Sequence, residues 1–186
     1  RTINTSLTGA GTTTPTVSLL ATPGAGQDLN LELKRKSIGL VLEKQFGNFQ
    51  VEVNLKNEDK NGARFFGRGF PCSTTYDRGA GVCTSSGSPT ALLMLPEPVD
   101  STIRQLDARL NCSDGKLNVS GGYYGNLYTN NFGSLTPTIL GANIGNLNGA
   151  NVALDANLRT YMQTPMALWP DSQAHQFFLG GNYKLT

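Results

Sequence analysis

Apolar and polar residues alternate one by one through two long stretches of the chain. In residues 29–58, Leu29, Leu31 and Leu33 alternate with Asn30, Glu32 and Lys34. Ile38, Leu40 and Leu42 then share a parity with Lys44, and Gly47-Asn48 turns the chain. Phe49, Val51, Val53 and Leu55 follow, interleaved with Gln50, Glu52, Asn54 and Lys56. The second stretch, residues 95–126, sets Leu106, Ala108 and Leu110 against Gln105, Asp107, Arg109 and Asn111. After a turn at Ser113-Asp114-Gly115, Leu117, Val119, Gly121 and Tyr123 oppose Asn118, Ser120, Gly122 and Tyr124. A period of two is the signature of strands with one apolar face; on a helix the same residues would scatter around the axis.

The pattern predicts an all-β chain of antiparallel hairpins with strands of about 11 residues. At ~3.3 Å per residue and a tilt near ~45°, such a strand spans about 25 Å, the height of the apolar band of a membrane barrel. One all-β region over residues 1–186 is expected. Residues 1–28 read as loop-rich, 29–70 as a hairpin, 71–94 as a loop, 95–128 as a second hairpin and 129–149 as a loop. Residues 150–186 read as a third hairpin, from the alternation of Val152, Leu154, Ala156 and Leu158 and then of Phe177, Leu179, Gly181, Tyr183 and Leu185. Pro96 and Pro98 are expected to stop any strand before the second hairpin. Tight turns on one side and long loops on the other is the arrangement of outer-membrane barrels. Six to eight strands lie at or below the usual minimum of about eight. The chain therefore reads as a portion of a transmembrane β-barrel, as one of several associating copies, or as a soluble sheet. Both ends stop in mid-pattern and the chain starts at Arg1, so a processed or trimmed piece of something longer is expected.

Composition narrows the classes. Charged residues make up 15 % and the net charge is +2; with a pI near 8.5 this argues against a nucleic-acid partner, which would call for a basic face. The 22 glycines, with abundant Asn, Thr and Ser, suit strands joined by polar turns. No apolar run reaches the length of a transmembrane helix, which leaves a barrel open. Cys72 and Cys83 bracket a Gly/Ser/Thr-rich segment, and a disulfide between them would staple it in an oxidising compartment. Cys112 is the odd thiol.

On a barrel the two parities acquire roles. Leu40, Leu42, Val51, Val53, Leu106, Leu110, Leu117 and Val119 would face lipid. Glu52, Asn54, Gln105, Asp107, Arg109, Asn118 and Ser120 would face the lumen. Tyr123, Tyr124, Tyr128, Tyr161, Trp169 and Tyr183 are candidates for aromatic girdles or for packed core. Catalytic constellations do not form. His175 is the single histidine, with no companion ligands for zinc and no nucleophile elbow for a triad. Glu58-Asp59 reads as solvated strand-end charge before calcium ligation. No catalytic, metal or cofactor-binding residue is expected. A secreted soluble β-sandwich or adhesin-like module remains the alternative; there the apolar faces would pack sheet on sheet.

An ordered series of short motifs carries a resemblance. It runs from Lys34-Arg35-Lys36 with Gly39-Leu40, through residues 56–62 (KNEDKNG), to residues 95–100 (LPEPVD) leading into Gln105-Leu106-Asp107. Gly122-Tyr123-Tyr124-Gly125 with Leu135-Thr136 comes next, then residues 170–176 (PDSQAHQ) before residues 179–183 (LGGNY). Over residues 29–186 this resembles the decahaem-associated outer-membrane β-barrel family, the MtrB/PioB type. The resemblance implies a location in the bacterial outer membrane and a large barrel of which this is a portion. It implies a sheath that holds and insulates a periplasmic multihaem c-type cytochrome, so that electrons cross the outer membrane. A second, extracellular multihaem cytochrome would dock at the rim. The haem would belong to the partner; no Cys-x-x-Cys-His motif occurs in this chain. The segment between Cys72 and Cys83 has no counterpart in that pattern.

Overall fold

A computed structural model describes residues 5–19, 31–71, 90–140, 143–145, 151–153 and 156–185. Cys72, Cys83 and the expected disulfide lie outside the described residues. The strands are β1 (Thr5–Thr8), β2 (Thr16–Leu19), β3 (Leu33–Phe46), β4 (Phe49–Pro71), β5 (Thr90–Asp114) and β6 (Leu117–Asn130). Short strands follow: β7 (Ser134–Leu135), β8 (Thr138–Leu140), β9 (Asn143–Gly145) and β10 (Asn151–Ala153). Helix α1 (Ala156–Met162), β11 (Met166–Ala167) and β12 (Ser172–Tyr183) complete the series.

The chain divides into two compact units. One comprises Lys34–Asn61, Asp100–Asn131 and Trp169–Thr186. Its long strands form one antiparallel sheet in the order β12-β6-β5-β4-β3. Two-residue connections, Gly47-Asn48 and Gly115-Lys116, join β3 to β4 and β5 to β6. Gly47 and Gly115 take φ of 56° and 46°, which is what tight hairpin turns matching the strand twist demand at their first position. Arg104 pairs with Leu127 and Leu106 with Gly125 across β5 and β6; Phe177 pairs with Tyr123 and His175 with Gly125 across β12 and β6.

The other unit comprises Arg1–Leu33, Gly62–Val99 and Phe132–Leu168. Here an ordinary closed core forms. Val17, Leu95, Leu135, Ile139, Met162, Met166 and Leu168 are buried, with Pro15, Pro96, Pro98 and Pro137. β2 runs parallel to β8, which sets Val17 opposite Ile139, and β11 pairs with β7 through Met166 and Leu135. The buried Glu97 (5 % exposed) accepts two hydrogen bonds from the Arg64 guanidinium, at 2.9 and 2.8 Å. Glu97→Ala removes a charge-assisted bidentate pair and should cost about 2 kcal/mol. Thermal unfolding of that variant beside Arg64→Met/Glu97→Leu checks this: the double replacement should recover most of the loss, and an unaltered Glu97→Ala would show the pair to be idle.

Four expectations are corrected. The strands are longer than about 11 residues: β12 has 12, β3 and β6 have 14, β4 has 23 and β5 has 25. β4 and β5 contribute to both units, which accounts for their length. Pro96 and Pro98 lie inside β5 rather than ending it. Asp100 O accepts from Asn131 N at 2.9 Å, so even-numbered positions of β5 turn their backbone groups toward the β6 side. β6 pairing with β5 stops at Ser101–Asn130, so the two prolines forgo donors on a side where no ladder continues. Finally, residues 150–186 are not a hairpin. β10 pairs with β9, α1 occupies 156–162, and β12 joins β6. Ala, Leu, Arg and Met favour helix, and Thr164 closes its end by donating from Oγ1 to Tyr161 O at 2.8 Å. The expected loop over 129–149 also contains β7, β8 and β9.

Candidate functional site

The five-stranded sheet has two chemically distinct faces, and strand register decides their membership. Thr102 Oγ1 donates to Asp59 Oδ1 and Ser113 N to Asn48 O, both at 2.9 Å, which aligns β5 with β4. With the pairings of β6 and β12, even positions of β3 and β5 share a face with odd positions of β4, β6 and β12. Leu40, Leu42, Val51, Val53, Leu106, Leu110, Leu117 and Val119 therefore lie together, joined by Ile38, Leu55, Phe177 and Leu179. Glu52, Asn54, Gln105, Asp107, Arg109, Asn118 and Ser120 lie together on the opposite face.

The apolar face is open. Leu179 is 83 % exposed, Phe177 78 % and Ile38 73 %. In a sandwich a second sheet would cover these side chains; here none of the three is covered. An uncovered apolar surface running across five strands far exceeds the patches that water-soluble monomers tolerate. Along β6, Leu117 to Leu127 spans about 33 Å at ~3.3 Å per residue, or about 23 Å after a tilt near 45°. Phe46, Phe49 and Tyr183 mark the turn end of this band, all exposed, and Lys44 lies with its Nζ 5.8 Å from the Phe46 ring centroid. Lys36, Asp59 and Arg104 mark the opposite end. Cys112 sits on this face as a free thiol.

The polar face is internally paired. Arg109 donates from Nε and Nη2 to the two oxygens of Asp107, both at 2.9 Å. Asn54 donates to Glu52 at 2.7 Å, Gln105 to Tyr124 at 3.2 Å and Ser113 to Asn118 at 2.6 Å. Lys56 and Lys60 reach Glu58 at 3.0 and 3.4 Å. Asp59 projects from the other face, so Glu58 and Asp59 do not converge as cation ligands. Among the described residues no group of three His, Cys, Asp or Glu side chains could hold a metal ion.

One cluster escaped sequence reasoning. Tyr123 Oη and His175 Nδ1 lie 2.7 Å apart on the apolar face, with the Tyr123 ring 5.0 Å from that of Phe177. Tyr123 lies over Gly125, where an added Cβ would come 2.6 Å from the Tyr123 hydroxyl. On the polar face Phe178 covers Gly122 in the same way, 2.5 Å from where a Cβ would stand. Glycines inside a strand mark such close approaches. That signal was present in residues 121–125, but the partner on β12 was not.

A wall one sheet thick, apolar and open on one side, polar on the other, with tight turns at one end, defines the class of outer-membrane β-barrels. The chain belongs to the MtrB/PioB family: the family model described as "putative outer membrane beta-barrel porin, MtrB/PioB" matches residues 1–186. The protein is thus a porin-like barrel protein of the outer membrane, a class that is not an enzyme class. No curated protein matches the chain.

Proposed function

We propose that this chain forms part of the wall of a barrel that holds and insulates a multihaem c-type cytochrome for electron transfer across the outer membrane. Leu40, Leu42, Val51, Val53, Leu106, Leu110, Leu117 and Val119 face lipid. Glu52, Asn54, Gln105, Asp107, Arg109, Asn118 and Ser120 face the lumen and meet the partner. The observation that carries the reading is the segregation of the two faces across all five strands. A closed sheet with this polarity gives a low-dielectric outer surface and a polar, hydrogen-bonding bore.

The sheath role rests further on the ordered motif series of residues 29–186. The polar face suits it: its Asp107–Arg109 and Lys56–Glu58–Lys60 pairs nearly balance their charge, so a protein surface can dock without bringing a strong field. The chain contributes no haem ligation of its own in this reading; the haem travels with the periplasmic partner, and an extracellular multihaem cytochrome docks at the rim.

The test is affinity capture of the full-length protein from native outer membranes in mild detergent, followed by haem staining. A haem-positive partner in roughly equal amount supports the sheath reading. A detergent-dependent barrel that captures no haem protein would reduce the function to that of a porin.

A further inference from the structure

At the loop-bearing end of the apolar band lies a trough of about 530 Å³. Leu55, Leu106 and Leu127 line it, and Tyr123, whose ring lies over Gly125, walls it. Arg104 lines the same trough at its polar end. Arg104 is exposed and has no hydrogen-bond or ion-pair partner among the described residues. Lys36, one position nearer the loops on the same face of β3, is likewise exposed and unpaired among the described residues. Asp59, on the strand between them, accepts from Thr102 at 2.9 Å and from Asn57 at 3.4 Å and forms no ion pair with either cation among the described residues.

An unpaired guanidinium on a lipid-facing surface, at the edge of an apolar trough, calls for an anion delivered on an acyl chain. Arg matches phosphate with two parallel N–H donors, and Lys adds a point charge beside it. In outer-membrane barrels the long loops are extracellular and the tight turns periplasmic. This end of the band therefore meets the outer leaflet. We propose that the trough binds one phosphorylated glycolipid of the lipid A type, with an acyl chain along Leu55, Leu106 and Leu127 and a phosphate on Arg104, assisted by Lys36. The inference rests on the barrel reading of the previous section.

The experiment uses the full-length protein purified from outer membranes in mild detergent, with native mass spectrometry as the readout. The probes are bis-phosphorylated lipid A, its dephosphorylated form, and phosphatidylglycerol. The phosphorylated glycolipid should bind about tenfold more tightly than the dephosphorylated one, and Arg104→Gln should remove that difference while Arg104→Lys keeps most of it. Heat-modifiable migration identifies folded variants, so loss of the adduct in a folded Arg104→Gln barrel supports the site. An undiminished adduct in Arg104→Gln, or phosphatidylglycerol binding equal to that of lipid A, overturns it. Failure of the barrel reading would register separately, as insertion that tolerates arginine at Val53.

Discussion

Val53→Arg and Leu110→Arg are expected to block assembly of this protein into the outer membrane. Both residues lie in the middle of the apolar face, on β4 and β5, which are paired inside the five-stranded sheet. Arginine at the midplane of a membrane barrel costs about 2–4 kcal/mol, falling toward zero near the interfaces. Leu106 and Val119, nearer the two edges of the band, should therefore show a smaller loss with the same replacement. Asn118→Arg, on the polar face, should assemble as the parent does. The measurement is the fraction of heat-modifiable, protease-resistant protein in isolated outer membranes. A graded loss with depth on one face, and tolerance on the other, is the signature expected; equal tolerance at both parities would sink the barrel reading.

Leu135→Ala should damage the other compact unit with comparable force. Leu135 is 0 % exposed, and its strand β7 is held by β11 through the Leu135–Met166 pairing. Truncating a fully buried Leu removes its transfer free energy and leaves a cavity, at a cost of about 2–5 kcal/mol. Residues 132–168 should then become sensitive to limited proteolysis, with cleavage sites located by mass spectrometry. Leu135→Met, which keeps the volume, should cost less than about 1.5 kcal/mol. Protection of 132–168 that survives Leu135→Ala would show that this cluster does not stabilise the unit.

The two faces were legible in residues 38–58 and 105–124, because a strand that is apolar on one side must write that side into every second residue. The hairpin turns at Gly47 and Gly115 were legible for the same local reason: the backbone there needs φ > 0. Expected strand length fell short because sequence alternation reports the half-apolar portion of a strand. Before Asp100, β5 passes through a unit with a closed core, where Leu95, Pro96, Glu97 and Pro98 are all buried and burial no longer alternates.

By itself, then, the sequence determined an all-β chain, its two long hairpins, the sorting of Leu40 through Val119 into opposed parities, and the family. The tertiary structure alone decided which distant strand completes the sheet. Val152–Leu158 and Phe177–Leu185 both alternate, yet only the second pairs with β6, because Leu179 and Phe178 fill the space that Gly121 and Gly122 leave. It also decided that Pro96 and Pro98 sit inside β5, since a proline is tolerated wherever its absent donor faces no partner. The same holds for Arg64–Glu97 and for Tyr123–His175. Those contacts join residues far apart in the chain, and no local pattern of hydrophobicity records which remote residue will be opposite.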